Sequence, residues 1–118
     1  MRSILIMVIL LCGFADLAEA ACTVPRWQFI WGVETNAYMT SDGAPCRMRL
    51  IGVNRTGEVH SIRIASPPRN GAASASGHVV NYRPKANLKG EDSFVFAING
   101  RRNGDPVQAT VRVSVTAQ

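Results

Sequence analysis

Across residues 107 to 115 apolar and polar side chains alternate without a break. Val107, Ala109, Val111, Val113 and Val115 hold the odd positions, and Gln108, Thr110, Arg112 and Ser114 the even ones. Successive side chains of an extended backbone point to opposite faces, so only a strand with one covered face buries all five. A helix would scatter them around its axis. No other window places apolar residues at helical spacing for three turns. Gly, Pro, Asn and Ser instead punctuate the chain every 8 to 12 residues or so, the rhythm of an all-β sandwich or barrel.

The remaining strands are read against this one. Residues 93 to 98 put Phe94, Phe96 and Ile98 on one face and form its partner. Between the two, Asn99-Gly100-Arg101-Arg102-Asn103-Gly104-Asp105-Pro106 holds two Asn-Gly pairs and a proline, which predicts a turn or hairpin loop. Upstream, His60, Ile62 and Ile64 alternate with Ser61 and Arg63, and Pro67-Pro68-Arg69-Asn70-Gly71 stops that strand. Residues 72 to 75 give a weak strand of small side chains, expected at a sheet edge. Residues 78 to 82 follow and end at Pro84, which cannot donate to a ladder. Cys46, Met48 and Leu50 alternate with Arg47 and Arg49, while Trp27, Phe29 and Trp31 suggest a first strand and residues 36 to 40 another. The total is seven or eight short strands, with no internal repeat.

The N-terminus reads as an export signal. Arg2 precedes an apolar run from residue 4 to 14, and Ala18-Glu19-Ala20 puts small residues one and three places before a cut ahead of Ala21. Asp16 and Glu19 interrupt the segment before the roughly 20 apolar residues that a spanning helix needs. Neither Cys12 nor Cys22 has the small and apolar neighbours of a lipid-attachment site, and no later stretch is long and apolar enough to span a membrane. Residues 1 to 20 are thus expected to be a cleaved signal peptide, leaving residues 21 to 118 as a single domain in the periplasm or outside the cell. Of the 3 cysteines, Cys22 and Cys46 remain. An even pair in an exported chain predicts a disulfide, worth about 3 kcal/mol for a loop of about 25 residues. Cleavage takes Arg2 from the 13 cations and Asp16 and Glu19 from the 8 acids, leaving 12 against 6 and a net charge of about +6. Such a balance favours acidic partners through long-range attraction.

The C-terminal half resembles one repeat of the bacterial immunoglobulin-like, or cadherin-like, domains found in tandem in surface and secreted proteins. The resemblance runs over residues 60 to 116. It rests on Asn70-Gly71, Gly77, Val80-Asn81-Tyr82-Arg83-Pro84, Gly90-Glu91-Asp92-Ser93-Phe94-Val95-Phe96 and the alternating threonines and valines from Ala109 to Val115. It implies an immunoglobulin-like antiparallel β-sandwich of about seven strands and a binding or structural role. The pieces make local sense as well. Gly90 suits a turn into the next strand, Asp92 can accept bonds from nearby backbone amides, Phe94 and Phe96 plug the inter-sheet space, and Tyr82 covers the core edge with its hydroxyl wet or bonded. Calcium is not carried over from the cadherin-like pattern. Six to eight oxygens are needed, and this chain places Asn99-Gly100-Arg101-Arg102-Asn103-Gly104 where clustered acids would stand.

No catalytic set emerges. Only His60 and His78 could act as imidazole bases, and neither lies in a nucleophile motif. The reading is a non-enzyme with no cofactor and no metal. Its rival is a small periplasmic copper-binding protein using Met39, Met48, His60 and His78, whose soft thioethers and imidazoles suit Cu(I). Against that, Met48 falls on an inward face. Trp27 and Trp31 are either an aromatic strip for a partner or, preferably, the inward face of a first strand. Arg47 and Arg49 would project together from one strand, and Arg101 and Arg102 would crown a loop. These six residues are the candidate partner-binding set. An unidentified protein or an anionic polysaccharide is the expected partner, with inhibition of a secreted hydrolase a special case. Nucleic acid is not, because export removes it and no aromatic-basic interleaving marks a platform. Asn54-Arg55-Thr56 fits a glycosylation sequon that a bacterial source would leave unused.

Overall fold

A computed structural model describes residues 21 to 50 and 57 to 118. The expected signal peptide and the Asn54 sequon lie outside the described residues. The described chain forms eight strands and no helix: β1 Cys22–Thr23, β2 Glu34–Ser41, β3 Cys46–Arg49, β4 Glu58–Ser66, β5 Gly71–Ser76, β6 Val79–Pro84, β7 Gly90–Arg102 and β8 Asp105–Ala117. Five strands make one sheet in the order β1-β2-β8-β7-β4, and three make the other in the order β3-β6-β5. The protein is therefore a β-sandwich. All pairs are antiparallel except β2 and β8, which run parallel from Glu34 beside Thr110 to Ser41 beside Ala117.

The alternation of residues 107 to 115 becomes β8, with Ala109, Val111, Val113 and Val115 buried and Val107 half-buried. Opposite them on β7 stand Ile98, Phe96, Phe94 and Asp92, in that order. The hairpin between them is tighter than expected. Both strands run on to a two-residue turn at Asn103-Gly104, whose φ values of 54° and 84° have the sign that a type I′ turn requires. Only the second Asn-Gly pair turns the chain. Asn99 and Gly100 lie inside β7, opposite Gln108 and Val107. Gly100 is small because a Cβ there would run into the carbonyl oxygen of Glu58 and meet the Trp31 ring at 2.7 Å. Its role is close approach, not turning.

β4 also departs from the sequence reading. Ile62 and Ile64 are half-buried as expected, yet His60 is exposed and Val59 takes the inward place. The ladder shifts register between Val59 and Ser61, so His60 is the extra residue of a bulge. β5 lies at the edge of its sheet, as its small side chains suggested.

The largest correction concerns Trp27, Phe29 and Trp31, which do not belong to a strand. Residues 24 to 30 pair in no ladder, and Pro25 has no N–H to give. Their side chains nonetheless face inward. Phe29 and Trp31 are buried and meet edge-on at 5.1 Å, while Trp27 meets Phe96 edge-on at 5.8 Å. The arrangement answers a shortage of cover. β7 and β8 have 13 residues each, whereas β3, β5 and β6 have 4, 6 and 6. Tyr82 of the small sheet stacks on Phe94 at 5.5 Å; farther along β7, Trp27 covers Phe96 and Trp31 covers Gly100. The aromatic segment roofs the part of the large sheet that the small sheet is too short to reach.

One disulfide joins Cys22 on β1 to Cys46 on β3, with a Cα separation of 5.4 Å, and so ties an edge of the large sheet to an edge of the small one. β1 has only two residues paired to β2. Replacing both cysteines by serine is expected to cost about 3 kcal/mol, read as a lower urea midpoint. An unchanged midpoint would mean that the clamp holds nothing the sheets do not.

Candidate functional site

The buried polar residues Asp92 and Ser41 serve the fold, while the enclosed hydroxyl of half-buried Thr35 has no hydrogen-bond partner. Asp92 is 9% exposed and sits opposite Val115 near the start of β7. Its Oδ1 accepts the amides of Arg69 at 3.1 Å and Ser93 at 2.9 Å; its Oδ2 accepts the amide of Asn70 at 3.2 Å and the Tyr82 hydroxyl at 2.8 Å. The carboxylate thereby pins the β4–β5 connection, which crosses between the sheets, to strands of both. Burial, then the bond to Asp92 and its negative charge, push the Tyr82 hydroxyl well above its usual pKa. Ser41 is the other buried polar residue among those described. Its hydroxyl donates to the Ala44 carbonyl at 2.7 Å and accepts the Gly43 amide at 3.1 Å, fixing the turn from β2 towards β3.

The candidate set from the sequence divides among three places. Trp31 is buried and Trp27 half-buried in the aromatic roof, which leaves little of either ring at the surface. Arg101 and Arg102 stand exposed at the hairpin end of the large sheet. Arg101 donates to the Gly104 carbonyl at 2.8 Å, bracing its own turn, and Arg102 borders an open groove of about 630 Å³ with Trp31, Val33, Pro106 and Gln108. That groove follows β8 beyond the reach of β2. Gly32 donates to the Gln108 carbonyl and Thr110 to the Val33 carbonyl, so the even positions of β8 turn their polar groups towards this side. Pro106, also even, presents no N–H there, and the edge is blunted against an added strand.

Arg47 and Arg49 lie on β3, exposed, while Cys46, Met48 and Leu50 between and beside them are buried. The structure adds Arg83. Tyr82 on β6 pairs with Cys46 and faces the core, so Arg83 is turned outward with Asn81, which pairs with Arg47. The candidate set read from the sequence does not include Arg83. The inward-facing Tyr82 next to it was the signal that could have placed it. Across β6, the outward positions of β5 are Ala72, Ser74 and Ser76. A shallow trough of about 400 Å³ runs here, bordered by Pro45, Ala72, Ser74, Asn81 and Arg83.

The two histidines end near each other at the start of β4. His78 donates from Nε2 to the Val59 carbonyl at 3.1 Å, and His60 faces Glu58 at 3.3 Å, all exposed. Met39 and Met48, the thioethers of the copper reading, are buried among core residues at 2% and 1% exposure. The fold keeps the methionines apart from the imidazoles. No group of three or more His, Cys, Asp or Glu side chains among the described residues could hold a metal ion, and no helix among them is long and apolar enough to cross a membrane. No protein-family model matches the chain, and no curated protein matches it.

Proposed function

We propose that this chain is an exported, non-catalytic immunoglobulin-like module that binds an anionic partner in the envelope or the extracellular space. The observation that carries the reading is the division of labour among polar groups. Asp92, Tyr82 and Ser41, the buried groups that could do chemistry, are bonded inside the fold. The arginines stand outside it: among the described residues, only Arg112 pairs with a carboxylate, Glu34 at 3.7 Å. The disulfide between the sheets suits an oxidising compartment. The resemblance of residues 60 to 116 to immunoglobulin-like repeats supports a binding role, although site chemistry, not fold, has to decide function.

Immobilised protein is expected to retain a component of envelope extract at low salt and release it at high salt, since exposed charges are screened within about 8–10 Å at physiological ionic strength. Retention of nothing at low salt would remove the reading. Tight one-to-one copper binding lost in His60→Ala or His78→Ala would replace it.

A further inference from the structure

Acidic side chains are segregated to one side of the sandwich, while arginines stand on both sheets. β3, β5 and β6 contain three arginines and not one acid, whereas the described carboxylates, Glu34, Asp42, Glu58, Glu91, Asp92 and Asp105, all lie on the large sheet or beside it. The three arginines share the outer face of the small sheet. The register places Arg47 beside Asn81 and Arg49 beside Val79 on β6, with Arg83 two residues farther along β6 from Asn81. Strands lie about 4.8 Å apart and rise about 3.3 Å per residue, so Arg83, Arg47 and Arg49 form an oblique row at about 7–8 Å intervals. None of the three makes an ion pair with a described residue. Alongside the row, Ala72, Ser74 and Ser76 are too short to rise above the sheet, and the trough beside Arg83 and Asn81 stays open.

We infer that this face is a binding site for a linear polyanionic polysaccharide, laid obliquely from the trough at Arg83 across to β3, with its acid groups on Arg83, Arg47 and Arg49. The inference rests on the proposed anionic-partner reading and names its site and ligand class. Guanidinium forks pair in bidentate fashion with carboxylate, sulfate or phosphate, and a row of them at fixed spacing favours a chain that repeats its charge. Asn81, Ser74 and Ser76 add amide and hydroxyl groups for sugar hydroxyls. The occupant is not a protein of ordinary interface chemistry, because such interfaces centre on aromatic and apolar anchors. The exposed large apolar residues, Ile30, Val33 and Tyr38, all lie elsewhere. It is not a bilayer either: surface-bound modules insert an apolar face, and this one has none to insert.

The test compares the purified protein with two charge-matched variants on immobilised polygalacturonate, with a neutral polysaccharide and vesicles rich in anionic lipid as further arms. Arg47→Gln/Arg49→Gln/Arg83→Gln is expected to weaken polygalacturonate binding at least tenfold. Arg63→Gln/Arg101→Gln/Arg102→Gln, which removes the same charge from the large sheet, should weaken it less than threefold. Ser74→Glu, placing one carboxylate beside the trough, should also reduce binding while leaving the melting temperature unchanged. Equal losses in the two triple variants would reduce the effect to net charge and overturn the inference. So would binding to the vesicles alone, equal binding to the neutral polymer, or no binding to any arm. A protein retained from envelope extract would in those cases leave the broader binding reading standing.

Discussion

Asp92→Ala is expected to lower stability by about 3–5 kcal/mol, because it strands a buried hydroxyl and three backbone amides whose bonds converge on one carboxylate. The melting temperature should fall by upwards of about 12 °C in a domain of this size. Tyr82→Phe removes one of the four donors and leaves Asp92 its three amides, so it should cost only about 1 kcal/mol. A double-mutant cycle between the two isolates the Tyr82–Asp92 bond. If Asp92→Ala costs no more than Tyr82→Phe, the carboxylate does not pin the sheet crossing. Burial of Tyr82, reinforced by that bond and by the Asp92 charge, gives an alkaline signature. The folded state holds Tyr82 protonated well above the usual range, while the unfolded chain releases that proton near pH 10. A group whose folded pKa is raised contributes stability that is intact below the unfolded pKa and lost as pH climbs past it. Denaturation midpoints should therefore decline above about pH 10 more steeply in the natural protein than in Tyr82→Phe.

Phe96→Ala should cost about 3–5 kcal/mol, the range for emptying a fully buried aromatic site. Phe96 has no exposure and lies opposite Val111 on β8 and Ile64 on β4, with Phe94 at 6.5 Å and Trp27 edge-on above it. It is where cover by the small sheet gives way to cover by the aromatic segment. The loss should appear as a lower urea midpoint together with a changed Trp27 environment, read in tryptophan fluorescence. A cost under about 1.5 kcal/mol, typical of a site that can collapse or is poorly covered, would show that the roof over Phe96 is loose.

The sequence made the large sheet legible because β8 keeps a strict period of two, and its inward Val113, Val111 and Ala109 meet Phe94, Phe96 and Ile98 across the ladder, although Val95 and Ala97 between them are buried as well. It announced the disulfide as well, since the expected loss of residues 1 to 20 would leave two cysteines to pair. It misread Trp27, Phe29 and Trp31 as a strand for a specific reason. Alternation reports an extended backbone with one side covered and says nothing about ladder bonds, so a segment that roofs a sheet carries the same pattern as one that joins it. His60 misled in the opposite way, because a one-residue bulge shifts every inward position before it while the pattern after it stays intact. Gly100 followed an asparagine and looked like a turn, and only the approach of Glu58 and Trp31 reveals why it is glycine. The arginines were all visible. Their grouping was not, because a shared face is set by cross-strand register, and Arg83 stands 34 and 36 positions from Arg49 and Arg47 along the chain.

The parallel pairing of β2 with β8, together with the antiparallel pairing of β1 with β2, leaves Ala21 and Gln118 as near neighbours. Ala21 accepts the Asp42 amide, and Gln118 donates to the Ser41 carbonyl on the opposite side of the same strand. Two strand spacings, about 10 Å, separate them, a gap that three or four glycines can bridge. A fragment of residues 21 to 118 is thus suited to circular permutation, with new termini opened at the Ser76-Gly77 turn between the short strands. Fusions joined at residue 21 or residue 118 would emerge on the side of the molecule away from the Asn103-Gly104 tip and leave that tip unencumbered.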